Sequence, residues 1–117
     1  MTGYWYCASP YTRYPHGISA AYRDAVMNTA LLVKAGVSAF SPIVHSHILA
    51  VEGGLDALDG NMWLQMDEPI MEGAHGCIVL MLDGWDKSVG VMREIAYFAS
   101  AKKPIIMMEP GKVPPLS

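Results

Sequence analysis

The sequence is poor in charge and in cysteine. Only 16% of its 117 residues are charged, two are cysteines, and the formal net charge is −3. Together with a hydrophobic content of 52%, this composition excludes a disordered chain, which needs low hydrophobicity and high net charge. Two cysteines cannot build a disulfide scaffold, and both lie in apolar runs. We therefore expect Cys7 and Cys77 to be reduced thiols in the core.

Three other features are missing from the sequence. It has no basic cluster that would favour a nucleic-acid polymer as partner. No apolar stretch reaches the roughly 20 residues needed to span a bilayer, so we expect no membrane partner. The segment Met1 to Tyr6 lacks the basic start of a signal peptide. We expect a cytoplasmic protein with a single domain over residues 1–117.

The apolar fraction is high for a chain of this size. A small domain leaves much of its surface exposed when it folds, so we expect subunit contacts in a homodimer or a dimer of dimers. The candidates for these contacts are Met62, Trp63, Met107 and Met108.

Short apolar runs alternate with helical patterns along the chain. The runs predict strands at Tyr4–Ala8, Ser38–Phe40, Gly76–Leu82 and Pro104–Met108. Helical spacing predicts helices at Ile18–Lys34, Met62–Gly73 and Ser88–Ala101. The third run is uninterrupted, as in a strand covered on both faces of a parallel sheet. We predict an α/β domain of flavodoxin-like type, with three layers and a short, doubly wound parallel sheet.

The helical patterns also predict which faces are buried. The first helix should bury Ala21, Ala25, Met27, Leu31 and Leu32, and the last should bury Val89, Met92, Ile95, Ala96 and Ala99. Pro42 to Gly60 is predicted to be one long irregular stretch. Loops of this length are usually functional or mobile.

Ligands of open parallel sheets bind beyond the carboxyl ends of the strands, and Ser88 and Gly90 follow the third run there. They enter a helix N-terminus, where free backbone N–H groups and the helix dipole favour an anion. Alternatively, Ser88 only caps the helix and Gly90 only permits close packing. Spacing alone favours this second interpretation.

Glu94 and Asp67 are carboxylates within otherwise apolar helices. Burying such a group is costly unless it is paired. Two carboxylates that converge on a crevice can cleave a glycosidic bond, and Tyr6 could orient one of them. The alternatives are a solvated Glu94 paired with Arg93 or Lys87, a solvent-facing Asp67 beside Glu68, and a core tyrosine at Tyr6.

The spacing of His45 and His47 permits a metal site, because both would lie on one side of an extended segment. We favour pocket-wall or ordinary loop histidines and expect no metal or cofactor, since no metalloprotease spacing, phosphate-loop or dinucleotide motif occurs. His16 and His75 carry no pattern and are expected to be structural. Cys7 has no histidine or asparagine beside it to support a nucleophilic thiol.

Two segments carry a resemblance that extends from Tyr4 to about Pro110. Tyr6-Cys7-Ala8-Ser9-Pro10-Tyr11 and Gly84-Trp85-Asp86-Lys87-Ser88-Val89-Gly90-Val91, with Glu94-Ile95-Ala96-Tyr97 after the second, are similar to motifs of the nucleoside 2-deoxyribosyltransferase-like superfamily. This group includes deoxyribosyltransferases and 2′-deoxynucleoside 5′-monophosphate N-hydrolases. The closest resemblance is to a small uncharacterised bacterial and phage family within it.

The resemblance implies three catalytic roles. Glu94 matches the glutamate that attacks or faces the anomeric carbon. Asp67 matches the aspartate that assists at the sugar or the departing base. Tyr6 matches the tyrosine that hydrogen-bonds the glutamate.

The resemblance also implies a phosphate pocket. Ser88 matches the serine that binds the 5′-phosphate in the hydrolases, where transferases tend to have an aspartate that would repel a phosphate. The first loop, with Ser9, Tyr11 and Arg13, matches a further part of that pocket, although Pro10 removes one N–H. The remaining candidates for substrate binding are His45, Gly90 and Arg93. In the hydrolases, a serine near the C-terminus reaches into the active site of the neighbouring subunit. The residues of this chain that could play that role are Ser117 or the segment Gly111–Pro115.

The chain also departs from the family pattern. Met92 and Ala96 replace glycines, and Arg93 precedes the glutamate. These larger residues would narrow the sugar pocket, or Arg93 would add a phosphate contact.

These observations predict an N-glycosidase that hydrolyses the base–sugar bond of a (2′-deoxy)nucleoside 5′-monophosphate through a glutamate nucleophile. Three alternatives stay open. They are a deoxyribosyltransferase that exchanges bases, a non-catalytic nucleotide-binding module, and a metal-dependent hydrolase that uses His45 and His47.

Overall fold

The structure, a computed structural model, describes residues 3–116. The candidate Ser117 lies outside these residues. Four parallel strands form one sheet: β1 (Trp5–Ala8), β2 (Ala39–Phe40), β3 (Gly76–Leu80) and β4 (Ile105–Met108). The helices are α1 (Ile18–Lys34), α2 (Pro42–Val51), α3 (Gly60–Gly73) and α4 (Val89–Ser100), and a short 3₁₀ turn at Trp85–Lys87 precedes α4.

The strand order is β2-β1-β3-β4, which confirms the flavodoxin-like, doubly wound α/β fold. The chain moves outward from β1 to β2 and then returns to add β3 on the other side of β1. This reversal opens a crevice beyond the carboxyl ends of β1 and β3. Both central strands are buried along their whole length, as expected for parallel strands with helices on both faces.

Alternate residues of each strand supply the two layers of core. One layer, between the sheet and α1, contains Trp5, Cys7, Leu32, Ile78 and Met108. The other, between the sheet and the pair α3 and α4, contains Tyr6, Met71, Cys77, Val79, Val91 and Phe98. Cys7 and Cys77 are buried free thiols on opposite faces of the sheet, which confirms the prediction of reduced core cysteines.

The segment predicted to be irregular is largely helical. Ser41 caps α2 by accepting a hydrogen bond from the Val44 N–H at 3.2 Å, and Pro42 occupies the first turn. A serine followed by proline is a helix-start signal, and its apolar surroundings obscured it. Only residues 52–59 connect α2 to α3.

The predicted faces of two helices are partly wrong. In α1, Met27 and Leu31 are exposed, and Asn28 is buried instead. Within α4, Val91 and Phe98 are fully buried. The residues of α4 that were predicted to be buried but are exposed are Val89, Met92, Ala96 and Ala99. Because α4 is apolar or small around most of its circumference, periodicity alone could not determine which face packs on the sheet.

The observed orientation of α4 matters for the site, since Glu94 lies between Val91 and Phe98 on the inward face. Met108 is fully buried in the core, so its assignment to a subunit contact is wrong. Met107 remains exposed. Within residues 3–116, no helix is both long enough and apolar enough to cross a membrane.

Candidate active site

A hydrogen bond between Tyr6 and Glu94 joins the central strand to α4. Tyr6 is fully buried, and its hydroxyl donates to the Glu94 Oε2 atom. The Tyr6 ring packs against Phe98 with 5.6 Å between ring centroids. Burial, with the nearby charge of Glu94, raises the pKa of Tyr6 far above its ordinary range. Tyr6 is therefore a fixed neutral donor.

Glu94 is held in a largely apolar setting. Burial raises the pKa of its carboxyl group from its ordinary value near 4.5 to about 8. The Tyr6 hydrogen bond opposes this rise, while the charge of Asp67 adds to it. Within residues 3–116, Glu94 forms no ion pair with Arg93 or Lys87. The alternative of a solvated, locally paired glutamate is therefore wrong.

Asp67 brings a second carboxyl group to the same face of the sheet. It lies on α3, its Oδ1 atom is buried, and that atom has no hydrogen-bond partner among the described residues. Burial raises the pKa of Asp67 to about 6. The neighbouring Glu68 is exposed, so the solvent-facing interpretation fits Glu68 and is wrong for Asp67. A buried carboxylate oxygen without a partner is costly in a protein at rest and is expected where a ligand supplies the partner.

Two contacts fix α3 and therefore Asp67. The Tyr4 hydroxyl donates to the Ile70 carbonyl at 2.6 Å. The Lys103 ammonium donates to the carbonyls of Met71 at 3.2 Å and Ala74 at 2.8 Å, and also to that of Glu72. These carbonyls belong to the last turn of the helix, where a cation is favourable.

The start of α4 lies at the carboxyl end of β3. Ser88 caps this helix, because its Oγ atom accepts from the Val91 N–H at 3.3 Å, which confirms the capping interpretation. A capping serine keeps its own O–H available as a donor. Gly90 is exposed, and a Cβ atom there would meet only the Ser88 Oγ atom at 3.9 Å. Close packing therefore does not explain Gly90.

The first loop, residues 9–17, follows β1. Ser9 is buried, and its Oγ atom has no hydrogen-bond partner among the described residues. Tyr11 is half-buried, and its hydroxyl bonds the Nδ1 atom of His47 at 2.7 Å. Arg13 is exposed, as is Arg93 on α4. Substrate binding by these residues stays a prediction.

The two neighbouring histidines lie on α2 and not on an extended segment. Residues two apart on a helix point to different sides, so the expectation that both imidazoles lie on one side is wrong. His45 is exposed beside the Phe40 ring at 5.8 Å, whereas His47 is buried. Across residues 3–116, no group of three or more histidine, cysteine, aspartate or glutamate side chains could hold a metal ion.

The other two histidines contact aromatic or acidic neighbours. The His16 Nε2 atom lies 2.9 Å from the Asp83 carboxylate and so connects the first loop to the segment before α4. The His75 ring packs edge-on against Trp5 at 5.0 Å. Both contacts fit structural roles.

Two open hollows lie elsewhere on the surface. One of about 700 Å³ follows the edge of β2 and is lined by Tyr4, Phe40 and Ile70 among others. The second, of about 380 Å³, lies near the start of β1 and includes Trp5 and Leu116. Neither is lined by Tyr6, Asp67 or Glu94, so the convergent polar groups and not a large hollow define the candidate site.

Residues 3–110 match a family described as a domain of unknown function, DUF1937. The matched range includes the whole sheet, all four helices and every residue discussed above from Tyr6 to Glu94. No curated protein matches the chain. The chemistry must therefore be argued from the arrangement of the side chains.

Proposed function

We propose that this chain, which belongs to the DUF1937 family, is an N-glycosidase that releases the base from a nucleoside 5′-monophosphate, with a 2′-deoxy sugar favoured. The observation that carries the proposal is the part-buried Tyr6–Glu94 hydrogen bond beside the unpartnered carboxylate oxygen of Asp67. Glycosidic cleavage uses two neighbouring carboxyl groups, of which one donates a proton to the leaving group and the other attacks or stabilises the anomeric carbon.

In the proposed reaction, the ionised Glu94 attacks the anomeric carbon. A carbon–oxygen bond forms as the carbon–nitrogen bond breaks, and the departing base takes its proton from the neutral acid of Asp67. Water then attacks the same carbon and gives a proton to Asp67. The Glu94 carboxylate leaves, and the sugar phosphate is released.

The proposed roles require one proton on the pair of acids. The pKa values of about 8 for Glu94 and about 6 for Asp67 make the singly protonated pair the main form between these two limits. We therefore expect a bell-shaped dependence of kcat/KM on pH with limbs near pH 6 and pH 8. Because the pKa of Glu94 is the higher of the two, the shared proton lies mainly on Glu94. The reacting form, with Glu94 ionised and Asp67 protonated, is therefore a minor tautomer, which the Tyr6 hydrogen bond stabilises.

The phosphate would lie at the N-terminus of α4. There the Ser88 hydroxyl and the free N–H groups of the first turn can donate to an anion, and Gly90 leaves the approach open. The buried, unpartnered hydroxyl of Ser9 supplies another donor at the end of β1. A serine at position 88 in place of an aspartate supports a phosphorylated substrate over a free nucleoside.

We place this activity in nucleotide metabolism in the cytoplasm, in a homodimer or a dimer of dimers. The two buried free thiols support a reducing compartment. The proposal requires no cofactor and no nucleic-acid or membrane partner.

The direct test incubates the purified protein with nucleoside monophosphates and with the matching nucleosides, and follows free base by chromatography. We expect Glu94→Gln to lower the rate of base release at least ~10³-fold, because the nucleophile is lost. Glu68→Gln is the matched control, since Glu68 is an exposed acid beside Asp67, and should keep full activity.

Four results would contradict the proposal. A wild-type protein that releases no base, or a fully active Glu94→Gln variant, excludes the mechanism. Base exchange that needs an added acceptor base, without net hydrolysis, identifies a transferase. Tight binding of a nucleotide that stays intact identifies a binding module.

A further inference from the structure

Three aromatic side chains meet where the first loop packs against α1 and α2, and the reaction proposed above uses none of them. They are Tyr11 of the loop, Tyr22 of α1 and His47 of α2. The His47 ring stacks on Tyr22 with 4.4 Å between centroids and 20° between planes. Tyr11 meets the same imidazole edge-on at 5.8 Å and bonds its Nδ1 atom at 2.7 Å.

The protonation states in this cluster follow from burial. His47 is only 6% exposed, and burial lowers its pKa. Burial also raises the pKa of Tyr11. Both groups are therefore neutral at neutral pH. We assign to His47 the tautomer protonated at Nε2, in which the Tyr11 hydroxyl donates and the Nδ1 atom accepts. The hydroxyl of Tyr11 is thereby engaged, and its ring packs against the core beside β1.

The position of Tyr11 in the chain makes this bond important. Strand β1 holds the backbone through Ala8, and Tyr11 is anchored to α2. Ser9 lies between these two fixed points, buried and with its hydroxyl unpartnered. An unpartnered buried hydroxyl gains stability if the segment shifts to find a partner or water. The segment from Ser9 to Tyr11 therefore needs a restraint that opposes this shift.

We propose that His47 is a positioning residue that holds Tyr11 and thereby keeps Ser9 in place with its hydroxyl free for the substrate. The identity of the ligand rests on the proposed function. The restraint on the loop does not, because it is a property of the protein without substrate. Histidine suits the task because one ring provides both an acceptor for Tyr11 and a flat face for Tyr22.

The first test measures hydrogen exchange of the Ser9 and Tyr11 amides by NMR in the protein without ligand. His47→Phe keeps a ring against Tyr22 but removes the acceptor, and Tyr11→Phe removes the donor. We expect each to speed exchange at these amides at least ~fivefold, and the double variant to add nothing further. His47→Asn, whose Oδ1 atom can replace the Nδ1 acceptor, should restore slow exchange.

Tyr14→Phe is the matched control. Tyr14 belongs to the same loop, and its hydroxyl bonds the Asp24 carboxylate at 2.7 Å, away from Ser9. It should leave exchange at Ser9 and Tyr11 unchanged. Unchanged exchange in His47→Phe, or equal acceleration in Tyr14→Phe, would overturn the positioning role.

The second test uses the proposed substrate. In His47→Phe and Tyr11→Phe we expect KM to rise about tenfold while kcat changes less than about twofold, because the loss affects binding and not the reacting acids. A fall in kcat with constant KM would overturn the link to substrate. If the wild type releases no base, the proposed function fails, and the exchange measurements alone decide the role of His47.

Discussion

The proposed function of Glu94 comes at the expense of stability. It lies on the inward face of α4 among apolar neighbours, with one hydrogen bond from Tyr6. A glutamine there would keep an acceptor for Tyr6 and avoid burying a charge. Retaining an acid in such a place is characteristic of a reacting group.

The stability of the protein should therefore depend on pH through Glu94. Its folded-state pKa of about 8 exceeds its ordinary value near 4.5, so the folded state holds a proton that the unfolded state has lost. The stabilising contribution of protonated Glu94 to the free energy of unfolding is fully present below its ordinary pKa. It is lost as pH rises through about 8. We expect Glu94→Gln to exceed the wild type by at least about 1 kcal/mol in free energy of unfolding above this range.

Urea titrations across the pH range measure the difference in free energy of unfolding between Glu94→Gln and the wild type. This difference should shrink as the pH falls. Glu68→Gln, at an exposed position, should follow the wild-type curve throughout. A wild type that gains stability relative to Glu94→Gln as pH rises would show that the carboxyl group is not buried as described.

A second prediction at this scale concerns Tyr6. Its hydrogen bond lowers the pKa of Glu94, so Tyr6→Phe should move the alkaline limb of the kcat/KM profile to higher pH. The rate should fall about 10- to 100-fold, as for loss of a hydrogen bond to a charged group. The pH profile of base release measures both effects. An unmoved limb would argue against contact between the two groups in solution.

At the scale of elements, the N-terminus of α4 combines a structural and a proposed binding task. Ser88 caps the helix, and it would also donate to phosphate. Ser88→Ala should lose about 1 kcal/mol of stability as well as phosphate binding. Ser88→Asp keeps a capping oxygen but adds a negative charge, so it should retain stability and still lose the phosphorylated substrate.

Thermal unfolding measures the loss of the helix cap. The loss of phosphate binding is measured by the ratio of kcat/KM for a nucleoside monophosphate to kcat/KM for the matching nucleoside. We expect Ser88→Asp to lower this ratio at least ~tenfold. An unchanged ratio would place the phosphate elsewhere.

The end of α3 gives another prediction. Lys103 bonds three carbonyls of the last helical turn, and Lys103→Met leaves them without this donor. We expect a loss of about 1–3 kcal/mol in the free energy of unfolding, measured by urea titration. Lys102→Met, at the exposed neighbour, is the control and should stay close to the wild type. Equal effects in both variants would contradict this role.

The sequence predicted the helices better than their orientations. The bounds of α1 and the end of α3 agree with the spacing of apolar residues, because those helices end at glycine or just before it. In α4, apolar and small residues cover most of the surface, so only contact with the sheet selected the face of Val91, Glu94 and Phe98. The start of α2 depended on one capping serine.

At the scale of the whole molecule, strand order creates the site. Tyr6 lies on β1, Asp67 on the helix that precedes β3, and Glu94 on the helix that follows it. Placing β3 beside β1 brings these three residues, which span 88 positions of the chain, to one face of the sheet. Their meeting depends on a parallel crossover and on no local motif.

The surface of the molecule predicts association. Helix α2 and the segment after it expose the apolar side chains of Ile48, Val51, Leu55 and Leu58, and a group of exposed apolar side chains is a candidate contact surface between subunits. We expect light scattering to report an oligomer, and Val51→Glu to shift it towards the monomer. Val33→Glu, also exposed but on α1, should not. A monomeric wild type would contradict this expectation.

Local spacing along the sequence predicted the alternation of strands and helices, the parallel sheet and the reduced cysteines, whereas the catalytic roles of Tyr6, Asp67 and Glu94 are what the resemblance to a known superfamily implies. The cost of placing an acid in an apolar helix made Asp67 and Glu94 candidates but left their solvated alternatives open. The packing of helices on the sheet was needed to show that Asp67 and Glu94 lie on the same face, that Tyr6 donates to Glu94, and that Tyr11 bonds His47. Burial and contact between distant segments depend on packing across the whole sheet. For the same reason, the scarcity of charge in the sequence became informative only when the fold showed which charges lie inside.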